Sequence, residues 1–184
     1  GLFMKNKIAA LLSALLVCSF PVSASELTDS VKKDYDEYLG ELWDHFHRNP
    51  ELSLVEFKTA KRMATELRAA GFDVTEGVGG TGVVAMLENG DGPLVMMRAD
   101  MDGLPVEEKS GLPNASKATQ EDPITGITVP VMHACGHDVH ITSLVGTARQ
   151  MAARKAEWSG TLMLIVQPAE ERGLGAVAMR DDNI

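Results

Sequence analysis

Between residues 28 and 49 the apolar side chains Val31, Tyr35, Leu39, Leu42, Trp43 and Phe46 recur every three or four positions, which predicts an amphipathic helix stopped by Pro50. A second helix is expected to follow at once. Ser53 and Glu56 have the spacing of a capping box, Phe57, Ala60, Ala64 and Leu67 form an apolar stripe, and Gly71 stands where a C-terminal cap belongs. The pattern then changes to nearly continuous apolar runs over residues 82–87 and 94–99, with Asn89-Gly90-Asp91-Gly92 as a turn between them, and such runs predict strands covered on both faces. Residues 111–130 are rich in Pro, Gly, Thr, Ser and Asn and read as a long surface loop. A helix is expected from about His137 to Arg154, a last apolar strand over residues 161–166, and the start of another helix after Gly173. That last segment reaches Ile184 without a cap or a closing strand, so the chain reads as truncated. Helices interleaved with buried strands predict an α/β sandwich, a central and mostly parallel sheet covered by helices on both faces.

The first residues break this pattern. Lys5 and Lys7 precede an apolar run over residues 8–17, and Val22-Ser23-Ala24 has the small residues of a cleavage site, so residues 1–24 are expected to be a secretory signal peptide and the protein periplasmic or extracellular. A membrane anchor is the competing reading, but the run is shorter than the roughly 20 residues a spanning helix needs. Lipidation at Cys18 would want a small residue before the cysteine, where Val17 stands. Cleavage would leave Cys135 as the one thiol, with no intramolecular disulfide to form. The remaining 25–184 suffice for one domain or most of one. A formal net charge of -9, with 17 basic residues scattered among 26 acids, argues against a nucleic-acid partner.

Three polar clusters fall where an apolar element has just ended or a helix begins: Arg98-Ala99-Asp100-Met101-Asp102, then Met132-His133-Ala134-Cys135-Gly136-His137-Asp138-Val139-His140, then Gln167-Pro168-Ala169-Glu170-Glu171. Carboxyl ends of strands line the ligand crevice of open α/β sheets, so the clusters are expected to converge. Two Asp, two Glu, a thiol and imidazoles together are donors for a divalent transition metal, whereas each cluster alone would be weak: adjacent glutamates are usually a solvated face.

With His47-x-x-Pro50-Glu51-Leu52 upstream, these stretches resemble the amidohydrolase branch of the M20 metallopeptidases, which includes hippurate hydrolases, N-acetylamino-acid deacylases and auxin-conjugate hydrolases; the resemblance covers residues 34–184. It implies a phosphorylase/hydrolase-like catalytic domain, of which residues 25–184 would be the N-terminal part, and hydrolysis of amide bonds in N-acyl amino acids or small peptides. It assigns Cys135, His137 and Glu171 to metal ligation, Glu170 to general base and acid, and Asp102 to support of the site, with two divalent cations (Zn, Mn, Co or Ni). Metal-activated water beside a carboxylate is a sound basis for that chemistry. Asp100 stands where the wider clan has a histidine ligand, and it reads equally as a ligand or as the partner of Arg98 or a backbone amide. His140 could share the site or stand behind it, and His133 is open in the same way. His45 and His47, closing the first helix, read as structural or peripheral to substrate. For Cys135 a nucleophile and an inert thiol compete with the metal-bridging role.

The resemblance also implies two further histidine ligands and an inserted domain supporting a homodimer, all beyond Ile184, so the 184-residue chain is expected to be inactive alone. A shortened, non-catalytic homologue that binds metal or ligand is the alternative. The Glu170-Glu171 pair favours an enzyme, and the Cys135-x-His137 variant favours a deacylase over a carboxypeptidase.

Overall fold

The structure, a computed structural model, describes residues 24–184; the expected signal peptide lies outside them except for its last residue. A nearly unbroken helix runs from α1 (Ala24–Asp34) through a π-helical turn (Tyr35–Leu39) into α2 (Gly40–Arg48). The π turn inserts one extra residue and shifts the apolar stripe. Leu39, Leu42 and Phe46 are buried, whereas Val31 and Tyr35, assigned to the same stripe by spacing, are exposed.

The next helix, α3 (Phe57–Ala69), is capped differently from the expected box. The carboxylate of Glu51 accepts the amides of Lys58 (3.2 Å) and Thr59 (2.7 Å), while Ser53 and Glu56 turn inward to other partners. Phe57, counted in the stripe, is exposed; Ala60, Met63, Ala64 and Leu67 carry the packing. Gly71 closes the helix as expected, at φ +91°. Its amide meets Arg68 O at 2.9 Å and the Phe72 amide meets Leu67 O at 3.1 Å, the paired bonds of a Schellman end.

The chain continues through β1 (Asp73–Val78), β2 (Gly82–Asn89), β3 (Leu94–Asp100), β4 (Thr119–Glu121), β5 (Thr128–Pro130), α4 (His137–Ala153), β6 (Gly160–Gln167) and α5 (Gly175–Asp181). β1, too polar to signal a strand, and the β4–β5 hairpin, inside the stretch read as loop, are additions to the expected elements. The sheet order is β1-β2-β6-β3. β1–β2 and β2–β6 pair antiparallel and β6–β3 parallel, so among the described strands the sheet is mixed where a mostly parallel one was expected. The turn after Asn89 does not make a hairpin: β6 lies between β2 and β3, and the Thr161 amide bonds Pro93 O at 3.0 Å beside the crossing.

Side chains alternate along the central strands. Val83, Ala85, Leu162, Leu164 and Val166 pack with Phe46, Met63, Leu67, Ile141 and Leu144 of α2–α4. Val84 and Ile165 face the other way, against Met179 of α5. Each large apolar side chain so buried contributes about 1.5–3 kcal/mol. β2 is therefore covered on both faces, as expected, and so is β6, but β3 is outermost among the described strands and its residues from Leu94 to Met97 are exposed there. No helix among the described residues is long and apolar enough to cross a membrane.

Parallel pairing of β3 and β6 sets their carboxyl ends side by side, with Asp100 opposite Gln167. α4, which connects the two strands, starts beside them at His137.

Candidate metal centre

Asp102 lies just past β3 and is buried at 1% exposure. Its carboxylate accepts the Glu170 amide on Oδ1 (3.1 Å), and the Glu171 amide (3.0 Å) and Ser53 hydroxyl (2.5 Å) on Oδ2. Burial opposes ionisation, but the bonds from His137, Ser53 and the two amides outweigh it and hold the group below the usual carboxylate range.

His137, also buried, has Nδ1 2.8 Å from the Asp102 carbonyl oxygen. A carbonyl oxygen only accepts, so the neutral ring carries its proton on Nδ1 and presents the Nε2 lone pair. Nε2 lies 3.5 Å from Asp100 Oδ1, 3.7 Å from Glu170 Oε2 and 3.8 Å from Glu171 Oε1. Burial lowers the affinity of this imidazole for a second proton; the Asp102 bond and the charges of Asp100 and Asp102 more than reverse that.

Two groups of three donors share this histidine: His137 with Glu170 and Glu171, and His137 with Asp100 and His140, each within 4.8 Å of one another. Glu171 Oε1 is buried without a hydrogen-bond partner among the described residues, an acceptor left facing the group. Such an orphan is costly unless something charged or protic completes it. The imidazole and carboxylate donors, the open Nε2 and that oxygen fit a divalent transition metal.

The second group is more constrained. Asp100 accepts His140 Nδ1 at 2.6 Å on Oδ1 and pairs with Arg98 at 2.9 Å on Oδ2. The Arg98 reading of Asp100 is therefore present, together with His140, whose ring stacks on His137 at 5.5 Å. Burial raises the Asp100 pKa, and the His140 bond with the charges of His137 and Arg98 brings it below normal.

Cys135 is exposed and belongs to neither donor group. The neighbouring Glu171 carboxylate, ahead of partial desolvation and the charges of Glu170 and Asp100, pushes the thiol up to about 11. An activated nucleophile would show the opposite shift. A cation beside Glu171 would reverse the local field, because a bound metal deprotonates a coordinating thiol.

Several polar residues around the site take partners that their motifs did not indicate. Glu56 accepts the Thr81 hydroxyl at 2.6 Å and the Ala169 amide at 2.8 Å, and burial pushes its pKa up. His47 bridges Asp138 at 2.8 Å and Glu108 at 3.3 Å, tying the end of α2 to the start of α4. Its placement at a helix end was legible; its two carboxylate partners, 91 and 61 residues away, were not. Burial lowers the pKa of His133 to about 4, and neither of its ring nitrogens has a hydrogen-bond partner among the described residues.

The sequence model of peptidase family M20/M25/M40 matches residues 96–184. A hippurate hydrolase of Campylobacter jejuni is 43% identical over 139 residues, 75% of this chain and 33% of that protein. An IAA-amino acid hydrolase of Arabidopsis thaliana is 35% identical over 168 residues, 89% of this chain and 36% of the plant protein. Among solved structures, a Bacillus subtilis protein described as a dinuclear metal-binding peptidase of the M20 family superposes with a TM-score of 0.70 at 34% identity, covering 84% of this chain and 40% of that one. The chain thus spans about a third of the length of the curated relatives it matches. Site, fold and relatives agree, and the chain belongs to peptidase family M20/M25/M40.

Proposed function

We propose that this chain carries the metal-binding part of an amidohydrolase site that cleaves amide bonds in N-acyl amino acids or small peptides. The observation that carries the reading is His137 Nε2 lying 3.5–3.8 Å from three carboxylates, one of them with a buried, unpartnered oxygen. His137, Glu171 and Cys135 would hold the cation, with a second cation at the same site and Zn, Mn, Co or Ni the fitting ions. A bound cation supplies Lewis acidity, acidifying water and drawing charge from the amide carbonyl.

The chain's own residues divide the remaining work. Glu171 is 15% exposed and Glu170 40%, which supports an inward ligand beside an outward base. Glu170 takes a proton from the attacking water and returns it to the leaving nitrogen. Asp102 fixes both glutamates through their amides and His137 through its backbone carbonyl. Relatives named as a hippurate hydrolase and an IAA-amino acid hydrolase support a small acylated amino acid as substrate. The reading extends to an exported protein, in which residues 25–184 form the N-terminal part of the catalytic domain, and to a homodimer at full length; Lys5, Lys7 and the apolar run after them support export.

The test uses this chain for binding and the gene's full-length product for turnover. Calorimetric titration with Zn²⁺ is expected to show binding that His137→Ala and Glu171→Gln weaken and Glu170→Gln spares. Hippurate hydrolysis by the full-length product should stop with a chelator, return with Zn²⁺, Mn²⁺ or Co²⁺, and fall at least 100-fold in Glu170→Gln. Turnover indifferent to both chelator and Glu170→Gln would reject the reading.

A further inference from the structure

Three successive amides at the end of β6 are held by two buried carboxylates. Asp102 takes the amides of Glu170 and Glu171, and Glu56 takes that of Ala169 at 2.8 Å. We propose that Glu56 is a positioning residue that, with Asp102, clamps the Ala169–Glu171 turn and so aims the Glu170 and Glu171 carboxylates. The bearing of the clamp on a cation rests on the function proposed above.

Glu56 has no competing task. The α3 N-terminus is already capped by Glu51, which takes the amides of Lys58 and Thr59. Among the described residues no Lys, Arg or His pairs with Glu56, although it is fully buried at 0% exposure. A buried carboxylate without a cation is expensive, and here it is offset by directed donors: the Thr81 hydroxyl on Oε2 and the Ala169 amide on Oε1.

The backbone on both sides of the contact is one that needs holding. Ala169 sits at φ +46° and Leu54, between the clamp-bearing Ser53 and Glu56, at φ +76°, both in the left-handed region that residues with a β-carbon avoid. Ser53 reaches Asp102 and Glu56 reaches Ala169 from the same short segment, so the connection between α2 and α3 is a brace behind the two glutamates. Without Glu56 the Ala169 amide is a buried donor with no acceptor, and the turn is free to relax.

The experiment compares Glu56→Ala, Glu56→Gln and a remote core control, Leu67→Ala, in the 184-residue chain. Zn²⁺ affinity is read by competition with a chromophoric chelator, and protection of the Ala169, Glu170 and Glu171 amides by hydrogen exchange in metal-free protein. Groups that orient metal ligands typically contribute about 10–100-fold in affinity. Glu56→Ala is expected to weaken Zn²⁺ at least about tenfold and to lose protection at those amides. Glu56→Gln, which keeps an acceptor for Ala169, should stay within about threefold of wild type, and Leu67→Ala should change neither readout while lowering stability. Wild-type protection and affinity in Glu56→Ala, or an equal loss in Leu67→Ala, overturns the proposal. A wild-type chain that takes up no Zn²⁺ overturns the metal reading instead, and amide exchange then decides the clamp by itself.

Discussion

At the residue scale the site is an assembly of buried polar groups that differ in how completely they are satisfied. Asp102 has donors on both oxygens, whereas among the described residues Glu171 Oε1 and both nitrogens of His133 have no partner. The His133 imidazole, 5% exposed, carries a pH signature. Its folded pKa of about 4 lies below the unfolded value near 6.5, so between these two pH values the unfolded chain binds more protons. Stability conferred by the neutral ring is therefore present above pH 6.5 and is lost as pH falls toward 4, a loss on the order of 2–3 kcal/mol. His47 and His137, whose pKa values are raised, act in the opposite window, losing stability as pH rises above 6.5. Urea unfolding of metal-free protein from pH 4 to 7 should show a positive slope that His133→Leu flattens. An unchanged slope in that variant would refute the assignment.

At the element scale, helix ends and strand ends build the site, and their caps came from unexpected residues. The spacing of Ser53 and Glu56 satisfies the capping-box rule, yet Glu51 reaches over to cap α3 and frees both for the interior. Glu51→Ala is expected to lower stability by about 1–2 kcal/mol in urea unfolding, because Thr59 and Lys58 lose their acceptor at the positive end of the helix. A cost below about 0.3 kcal/mol would mean that the carboxylate is not the cap. β3 illustrates the same limit in a strand. Its apolar run is as strong as that of β6, but among the described strands it is outermost, with Leu94, Val95 and Met96 exposed. Such an edge invites pairing between copies. Met96→Lys should therefore reduce concentration-dependent association of the chain in light scattering and leave its circular dichroism unchanged.

At the scale of the whole molecule, the proposed cation would link binding to folding, because its donors come from three separated segments: the end of β3, the start of α4 and the turn after β6. In the unfolded chain these donors are dispersed, so an ion held by the folded site stabilises it. Zn²⁺ at a hundred times its dissociation constant should raise the unfolding free energy by about 2.7 kcal/mol, reversibly with chelator. His137→Ala should abolish that increment, and an increment that survived in the variant would place the cation elsewhere.

The sequence by itself determined α4 and β6 almost to the residue, the α2 stop at Pro50, the Gly71 cap, the family, and the three clusters that meet. Period, breakers and short motifs are local, so these were readable along the chain. Tertiary structure alone decided that β6 inserts between β2 and β3, that β3 is outermost among the described strands, and that Val31 lies outside the core beyond a π turn. It also decided that Glu56 serves Ala169, 113 residues away, and that His47 binds Asp138. A buried carboxylate or imidazole chooses its partner by what burial brings within 3 Å, and no spacing along the sequence encodes that distance.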